Sequence, residues 1–235
     1  MPFRFKQFSV DDTGCPMKVG TDSVLLGAWA NLENCMRILD IGTGCGLLAL
    51  MTAQRSSAKI TAIDIDADAI KAAESNFFLS PWNDRLEAWQ TGLQEYAPIC
   101  PPGTFDHIIT NPPFFINSLK APDPERSNAR HTDQLPYELL ASASAKLLKH
   151  SGRLSMVLPV NESEIFKKIA SENGLSLVEQ LCIIPRQGKP ANRLLMEFGL
   201  EKKSYFRSGD LTIRDQSGEY TNEYKELTKD FYPNF

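Results

Sequence analysis

The sequence predicts an α/β fold: a doubly wound, mainly parallel seven-stranded sheet that ends in an antiparallel hairpin. Three observations carry this. From about residue 36 onward, short β-branched or apolar runs alternate with longer runs of helical spacing. A glycine-rich turn, "DIGTGCG", joins the first of these strands to the first helix. The last two apolar runs have only "QGKPAN" between them, with no helix. Strands separated by helical segments imply right-handed crossovers and parallel pairing, whereas a short connection fits antiparallel neighbours.

In order, "MRILDIG" is the first strand and "LLALMTAQRS" the helix behind it; "AKITAIDID" and "ADAIKAAESNFFLS" form the next pair. "RLEAWQT" and "FDHIIT" are the third and fourth strands. After a polar stretch come the helix "PYELLASASAKLLKH", the strand "GRLSMVLPV" and the helix "NESEIFKKIASENG". "LSLVEQLCIIPR" and "RLLMEFGLEK" are the closing hairpin. Residues 1–34 read as an N-terminal segment packing on a ligand site, 35–203 as the main unit and 204–235 as a C-terminal tail, all within one structural domain. The loop from about 116 to 134, rich in Pro, Asn and Ser, is long for such a fold and reads as functional or partly disordered.

Composition narrows the classes. At 235 residues, 42% hydrophobic and 23% charged, the chain has enough apolar content for a sizeable core. A net charge of -4 gives no global attraction to nucleic acid or anionic membrane, so either would need a local basic patch. No run is long and apolar enough to span a bilayer, and "MPFRFKQFSV" lacks the apolar region of a secretory signal, so a cytoplasmic protein is expected. Five scattered cysteines without a C-x-x-C pair read as reduced thiols, and the dispersed His107, His131 and His150 give no metal-site spacing.

Gly42, Gly44 and Gly46, with Thr43 among them, occupy the position where a strand-to-helix turn brings backbone N–H groups close to a bound ligand. Asp64, ending the second strand with Ile65 after it, is placed to accept hydrogen bonds from ribose hydroxyls. Asp40 precedes the glycines. Its charge would repel a dinucleotide pyrophosphate but suits an amino group or sulfonium centre, which favours S-adenosylmethionine over NAD. Asp66 and Asp68 read as acids in the first turn of the next helix.

"TNPPFF" follows the fourth strand. Neither Pro112 nor Pro113 can donate a main-chain hydrogen bond, and the residue before a proline is pushed towards extended geometry. The arm therefore leaves the sheet beside the crevice at the carboxyl ends of the strands. There Asn111 and the Pro112 carbonyl can accept from the two hydrogens of a planar amine, while Phe114 offers a flat face to its ring. Two fixed acceptors of this kind stabilise the positive charge that grows on such an amine as it attacks a methyl sulfonium. Phe115 reads as core.

These motifs resemble the class I S-adenosylmethionine-dependent methyltransferases and, among them, the amino-methylating group with an Asn-Pro-Pro-aromatic motif. "KVGTDSVLLGAWA", "ARHTD", "IIPRQGKPANRLLMEF" and "LTIRDQSGEYTNEYKELTKDFY" extend the resemblance over nearly the whole chain, to bacterial tRNA (adenine-N6)-methyltransferases acting on the adenine next to the anticodon of valine tRNA. The resemblance implies S-adenosylmethionine as cofactor and a tRNA substrate; a monomer without an obligate protein partner is expected. It further implies that Lys18, Gly20, Thr21 and Asp22 cover the methionine end of the cofactor. One departure stands out: where such enzymes often place an acid for the cofactor adenine amine, this chain has Gly92, leaving Gln90, Gln94 or a main-chain group for the task.

Candidate RNA contacts are Arg126, Arg130 and His131 in the long loop, Arg186, Lys189 and Arg193 in the hairpin, and Arg4 and Lys6 near the start. Guanine N2 of rRNA, adenine in DNA or a glutamine amide would suit the same planar-amine site. A non-catalytic RNA-binding module with this fold is the alternative from another class.

Overall fold

A computed structural model describes residues 2–15, 17–113, 135–202 and 205–233. A short antiparallel pair, β1 (Phe3–Arg4) and β2 (Ser9–Val10), precedes helix α1 (Thr21–Trp29). Then follow β3 (Arg37–Ile41), α2 (Leu47–Arg55), β4 (Lys59–Asp64), α3 (Ala67–Phe78), β5 (Leu86–Gln90), α4 (Leu93–Ile99) and β6 (Phe105–Thr110). After the motif come α5 (Tyr137–Leu147), β7 (Leu148–Pro159), α6 (Val160–Glu172), β8 (Ser176–Arg186), β9 (Arg193–Gly199), β10 (Arg207–Arg214) and α7 (Asn222–Thr228).

Eight strands form one sheet in the order β10-β8-β9-β7-β6-β3-β4-β5. Only β9 runs against its neighbours, β7 and β8; the other pairings are parallel. All seven expected strands are present, and the order reverses at β3, with β4 on one side and β6 on the other. The expected count of seven is corrected to eight, and the hairpin β8–β9 is not the edge: β10, from the stretch read as a tail, pairs with β8 outside it. The sequence pattern hides this strand for a physical reason. Of "RSGDLTIR" only Leu211 is buried, so an edge strand of this kind shows no apolar run.

Alternation along the strands sends successive side chains to opposite faces. Ile38, Ile60, Ile109, Val157 and Leu195 pack with α1, α2, α3 and α7 on one face. Leu39, Ile63, Ile108, Met156 and Leu194 pack with α4, α5 and α6 on the other. The chain ends meet on the first face: Phe5 stacks on Phe8 at 4.6 Å and meets Phe231 and Tyr232 at 6.5 and 6.1 Å, while Lys6 N–H donates to the Phe231 carbonyl at 2.8 Å. No helix among the described residues is long and apolar enough to cross a membrane.

The turn between β3 and α2 is shaped from beneath. Asp40 is fully buried, and its Oδ2 accepts from Thr43 Oγ1 at 2.6 Å and from Ala49 N–H at 3.1 Å, tying the turn to the first residues of α2. Gly46 caps α2 at φ 84°, and a Cβ there would lie 2.5 Å from the Phe77 ring. Gly46→Ala is therefore expected to lose about 2–4 kcal/mol in urea denaturation, from left-handed backbone strain plus overpacking.

Two buried groups set opposite pH limbs. Burial raises the Asp40 carboxyl to about 7 from its ordinary 3.8, against the pull of its Thr43 and Ala49 hydrogen bonds. Burial, then the nearby Arg55 and Arg153 charges, lowers His107 to about 3 from 6.5, and neither ring nitrogen has a partner among the described residues. The Asp40 contribution is complete below its unfolded value and is lost as pH rises through about 7; that of His107 is complete above 6.5 and is lost as pH falls towards 3. Denaturation midpoints measured across pH are expected to decline less on the neutral side in Asp40→Asn, and less on the acid side in His107→Leu, than in the unmodified chain.

Candidate active site

A cavity of about 470 Å³ opens at the carboxyl ends of β3, β4 and β6. One wall is the glycine turn. Gly42 and Gly44 take left-handed backbone angles, φ 70° and 56°, which a residue with a Cβ adopts only under strain. Gly42 and Thr43 N–H both donate to the Ile63 carbonyl, at 2.9 and 3.1 Å, so β4 holds the turn open. Asp64 completes this: its Oδ2 accepts from Gly44 N–H at 2.8 Å and its Oδ1 from Asp66 N–H at 3.0 Å. A carboxylate accepts about four hydrogen bonds, which leaves capacity at Asp64 for two ligand hydroxyls. Ile65 beside it is 47% exposed and borders the cavity with an apolar surface.

Asp66 caps α3, its Oδ1 accepting from Asp68 and Ala69 N–H at 2.9 and 2.8 Å, and Asp68 pairs with Lys71 at 3.0 Å. These are the helix-start roles expected from the sequence, although Asp66 also borders the cavity.

At Gly92 a Cβ would lie 2.5 Å from both Gln94 Nε2 and Glu95 Oε2. Two long side chains thus occupy the space where a side chain at 92 would project. They border a smaller cavity of about 270 Å³ with Ile65, Gln90 and Thr91. A carboxylate does reach this neighbourhood, and it belongs to Glu95, a residue that sequence reasoning missed. Nothing in the sequence fixes the phase of α4, whose seven residues include Pro98.

Opposite the glycine turn, Asn111 follows β6 and is 9% exposed. Its Nδ2 donates to Ser23 Oγ at 2.9 Å and lies 3.8 Å from Met17 Sδ, while its Oδ1 is buried with no partner among the described residues. The amide donors are spent on protein, so the free capacity of this side chain is acceptor capacity. Pro112, buried, and Pro113, exposed, continue the same wall. Met17, Lys18 and Val19 close another side, and Leu135 lies on the rim.

Of the residues expected at a cofactor, Lys18, Gly42, Thr43, Gly44, Asp64, Ile65, Gly92 and Asn111 line the cavity; Thr21, Asp22, Asp40 and Gly46 do not. Asp40 lies beneath the turn, Gly46 faces Phe77, and Asp22 is turned to Arg193, whose Nε donates to it at 2.8 Å. Met17, Val19, Ser23 and Thr91 line the cavity without having been singled out. Ser23 was within reach of the sequence, since it lies in the quoted "KVGTDSVLL"; Met17 carried no signal.

Because β8 runs parallel to β7, the β8–β9 turn lies at the same edge of the sheet as the cavity. It presents Arg186 and Lys189, both exposed, with Arg186 donating to the Gln216 carbonyl. Arg4 and Lys6 lie on the β1–β2 hairpin, where Lys6 Nζ donates to the Lys229 carbonyl at 2.5 Å. Phe114, Phe115, Arg126, Arg130 and His131 lie outside the described residues. Among the described residues, no group of three or more His, Cys, Asp or Glu is placed to hold a metal ion.

Comparison with known proteins agrees with this geometry. The methyltransferase small domain model matches residues 18–171. A tRNA1(Val) (adenine(37)-N6)-methyltransferase of Parabacteroides distasonis is 46% identical over 230 residues, covering 98% of this chain and 97% of that protein. A protein of the same name from Shewanella baltica is 43% identical over 235 residues, with 99% of each covered. Among solved structures, a predicted O-methyltransferase from Agrobacterium tumefaciens superposes with a TM-score of 0.67 at 20% identity, over 89% of this chain and 96% of that one. A geranyl diphosphate methyltransferase in complex with sinefungin gives 0.54 at 12% identity, over 75% of this chain and 76% of that one. The mainly parallel sheet with reversed β9, the glycine turn and the strand-end Asn-Pro-Pro thus belong together, and the chain is a member of the methyltransferase small domain family.

Proposed function

We propose that this protein transfers the methyl group of S-adenosylmethionine to the exocyclic N6 amine of an adenine in tRNA, the adenine next to the anticodon of valine tRNA. The observation that carries this is the Asn111 side chain: its donors are held by Ser23 and Met17, and its Oδ1 is buried at the wall of the cavity without a partner among the described residues. A desolvated acceptor of this kind is costly unless a ligand donor meets it. The names of relatives 43–46% identical over nearly the full chain support adenine in tRNA as the source of that donor.

The residues present fit the cofactor. A volume of about 470 Å³ is within the usual range for a small-molecule site. Asp64 retains acceptor capacity for the ribose hydroxyls, Ile65 supplies an apolar surface for the adenine ring, and Glu95 or Gln94 accepts from the adenine amine. When bound, the cofactor supplies an electrophilic methyl group on a sulfonium centre.

The remaining work falls to this chain. Asn111 Oδ1 and the Pro112 carbonyl accept from the two N6 hydrogens, which draws the amine lone pair out of conjugation with the ring. The same two acceptors stabilise the positive charge that develops on N6, so no strong base is required before attack. Phe114 stacks on the target base. An anticodon-loop base is already largely unstacked, which lowers the cost of bringing it out of the loop. Arg186 and Lys189, with Arg126, Arg130 and His131 of the long loop, meet the phosphates, while Arg193 acts mainly by holding Asp22.

Nucleoside analysis of tRNA methylated from labelled cofactor is expected to give N6-methyladenosine; a methylguanosine or protein-bound label would overturn the acceptor. Asn111→Ala is expected to lower kcat by roughly 100-fold or more. Lys189→Ala is expected to raise the KM for tRNA a few-fold and to reduce the slope of affinity against salt by about one.

A further inference from the structure

One side of the cofactor cavity is built by the chain before α1 rather than by the sheet. Residues 11–15 and 17–19 form a strap, and its Met17, Lys18 and Val19 line the cavity, with Met17 beside Asn111. The strap is held at its start by one side chain. Asn76, on α3 and 3% exposed, accepts from Asp11 N–H at 2.9 Å through Oδ1. Its Nδ2 donates to the Asp11 carbonyl at 3.0 Å and to the Cys45 carbonyl at 2.8 Å. A single buried amide therefore joins the strap to the glycine turn, using a donor and an acceptor on one and a donor on the other.

Asp12 carries the constraint to the far end. Its Oδ2 accepts from Val19 N–H at 3.0 Å, its carbonyl accepts from Cys15 N–H at 3.1 Å, and its Oδ1 is 3.8 Å from Lys18 Nζ. The strap is thus a closed loop, fixed to α3 at Asp11 and drawn shut at Val19. Met17 Sδ also lies 3.8 Å from Asn111 Nδ2, so the strap's position is felt at both the cofactor wall and the acceptor side chain.

We propose that Asn76 is a positioning residue for cofactor binding: it sets the distance between the strap and the glycine turn and so keeps these two walls of the cavity at the separation the cofactor requires. Asn76 touches no ligand itself. This inference rests on the cofactor reading above.

The test uses the full chain. For Asn76→Ala, calorimetric titration with S-adenosylmethionine is expected to show binding weakened about 10-fold, the size of effect expected when buried hydrogen bonds to a wall are lost. The cofactor KM should rise in step, with kcat at saturating cofactor kept within about twofold. Trypsin cleavage after Lys18, whose side chain is 60% exposed, should accelerate in the variant without cofactor and slow again at saturating cofactor. Asp12→Ala leaves the core intact and is expected to change affinity and cleavage in the same directions. It carries the test if Asn76→Ala does not fold. Unchanged affinity in either folded variant, a fall in kcat with unchanged KM, or unchanged cleavage after Lys18 overturns the proposal. Failure of the unmodified protein to bind S-adenosylmethionine would sink the cofactor reading instead, while the cleavage comparison, which needs no ligand, still decides whether Asn76 holds the strap.

Discussion

The hydrogen bonds between the turn after β3 and the end of β4 are the constraint on which the site depends. Ile63 gives one carbonyl to two successive N–H groups of the turn, and Asp64 gives a carboxylate oxygen to a third. A parallel pair leaves its carboxyl ends side by side, so the two loops must leave the sheet together. Here they leave bonded to each other. That single junction fixes the glycine backbone, orients Asp64 towards the cavity and sets the start of α3, because Asp66 N–H takes the other oxygen of the same carboxylate. Asp40 beneath and Asn76 behind reinforce a geometry already defined by that junction.

Much of this was legible in the sequence, and the parts that were not share a cause. Strands such as "MRILDIG" and "FDHIIT" announce themselves because both faces of a central parallel strand are buried. β10 does not, because its outer edge and most of its side chains face solvent. Asp64 lines the cavity and terminates a strand, a position that a strand pattern makes legible. Asp40 was misjudged for a complementary reason: sequence shows that it precedes the glycines but not that it sits under them, bonded to Thr43 and Ala49. Glu95 depends on the phase and tilt of a helix, which a short helical run does not determine.

The Asn-Pro-Pro motif shows how a defect in one account becomes a function in another. Two prolines remove main-chain donors at the end of β6, and Ser23 and Met17 take the amide hydrogens of Asn111. What remains at the wall of the cavity is oxygen. Such a surface discriminates by chemistry before shape, since a group without hydrogens to give, such as the carbonyl of a different base, would meet acceptors with no donor of its own. The cost of burying the unpartnered oxygen is borne by the fold and would be relieved by any ligand donor that reached it.

The pairing of the two ends of the chain has a consequence for how the protein comes into being. Phe5, Phe8 and the β1–β2 hairpin pack on Phe231 and Tyr232, and the strap that walls the cavity begins directly after that hairpin. During synthesis the hairpin is made long before its packing partners, so its native contacts span a very large sequence separation. The central sheet can assemble around β3, β4 and β6 while translation continues, yet the segment leading into the cavity wall gains its aromatic anchor only when Phe231 and Tyr232 leave the ribosome. Formation of the cavity wall is thereby tied to synthesis of those two residues, and a product truncated before them would carry the glycine turn without a properly anchored approach to the strap.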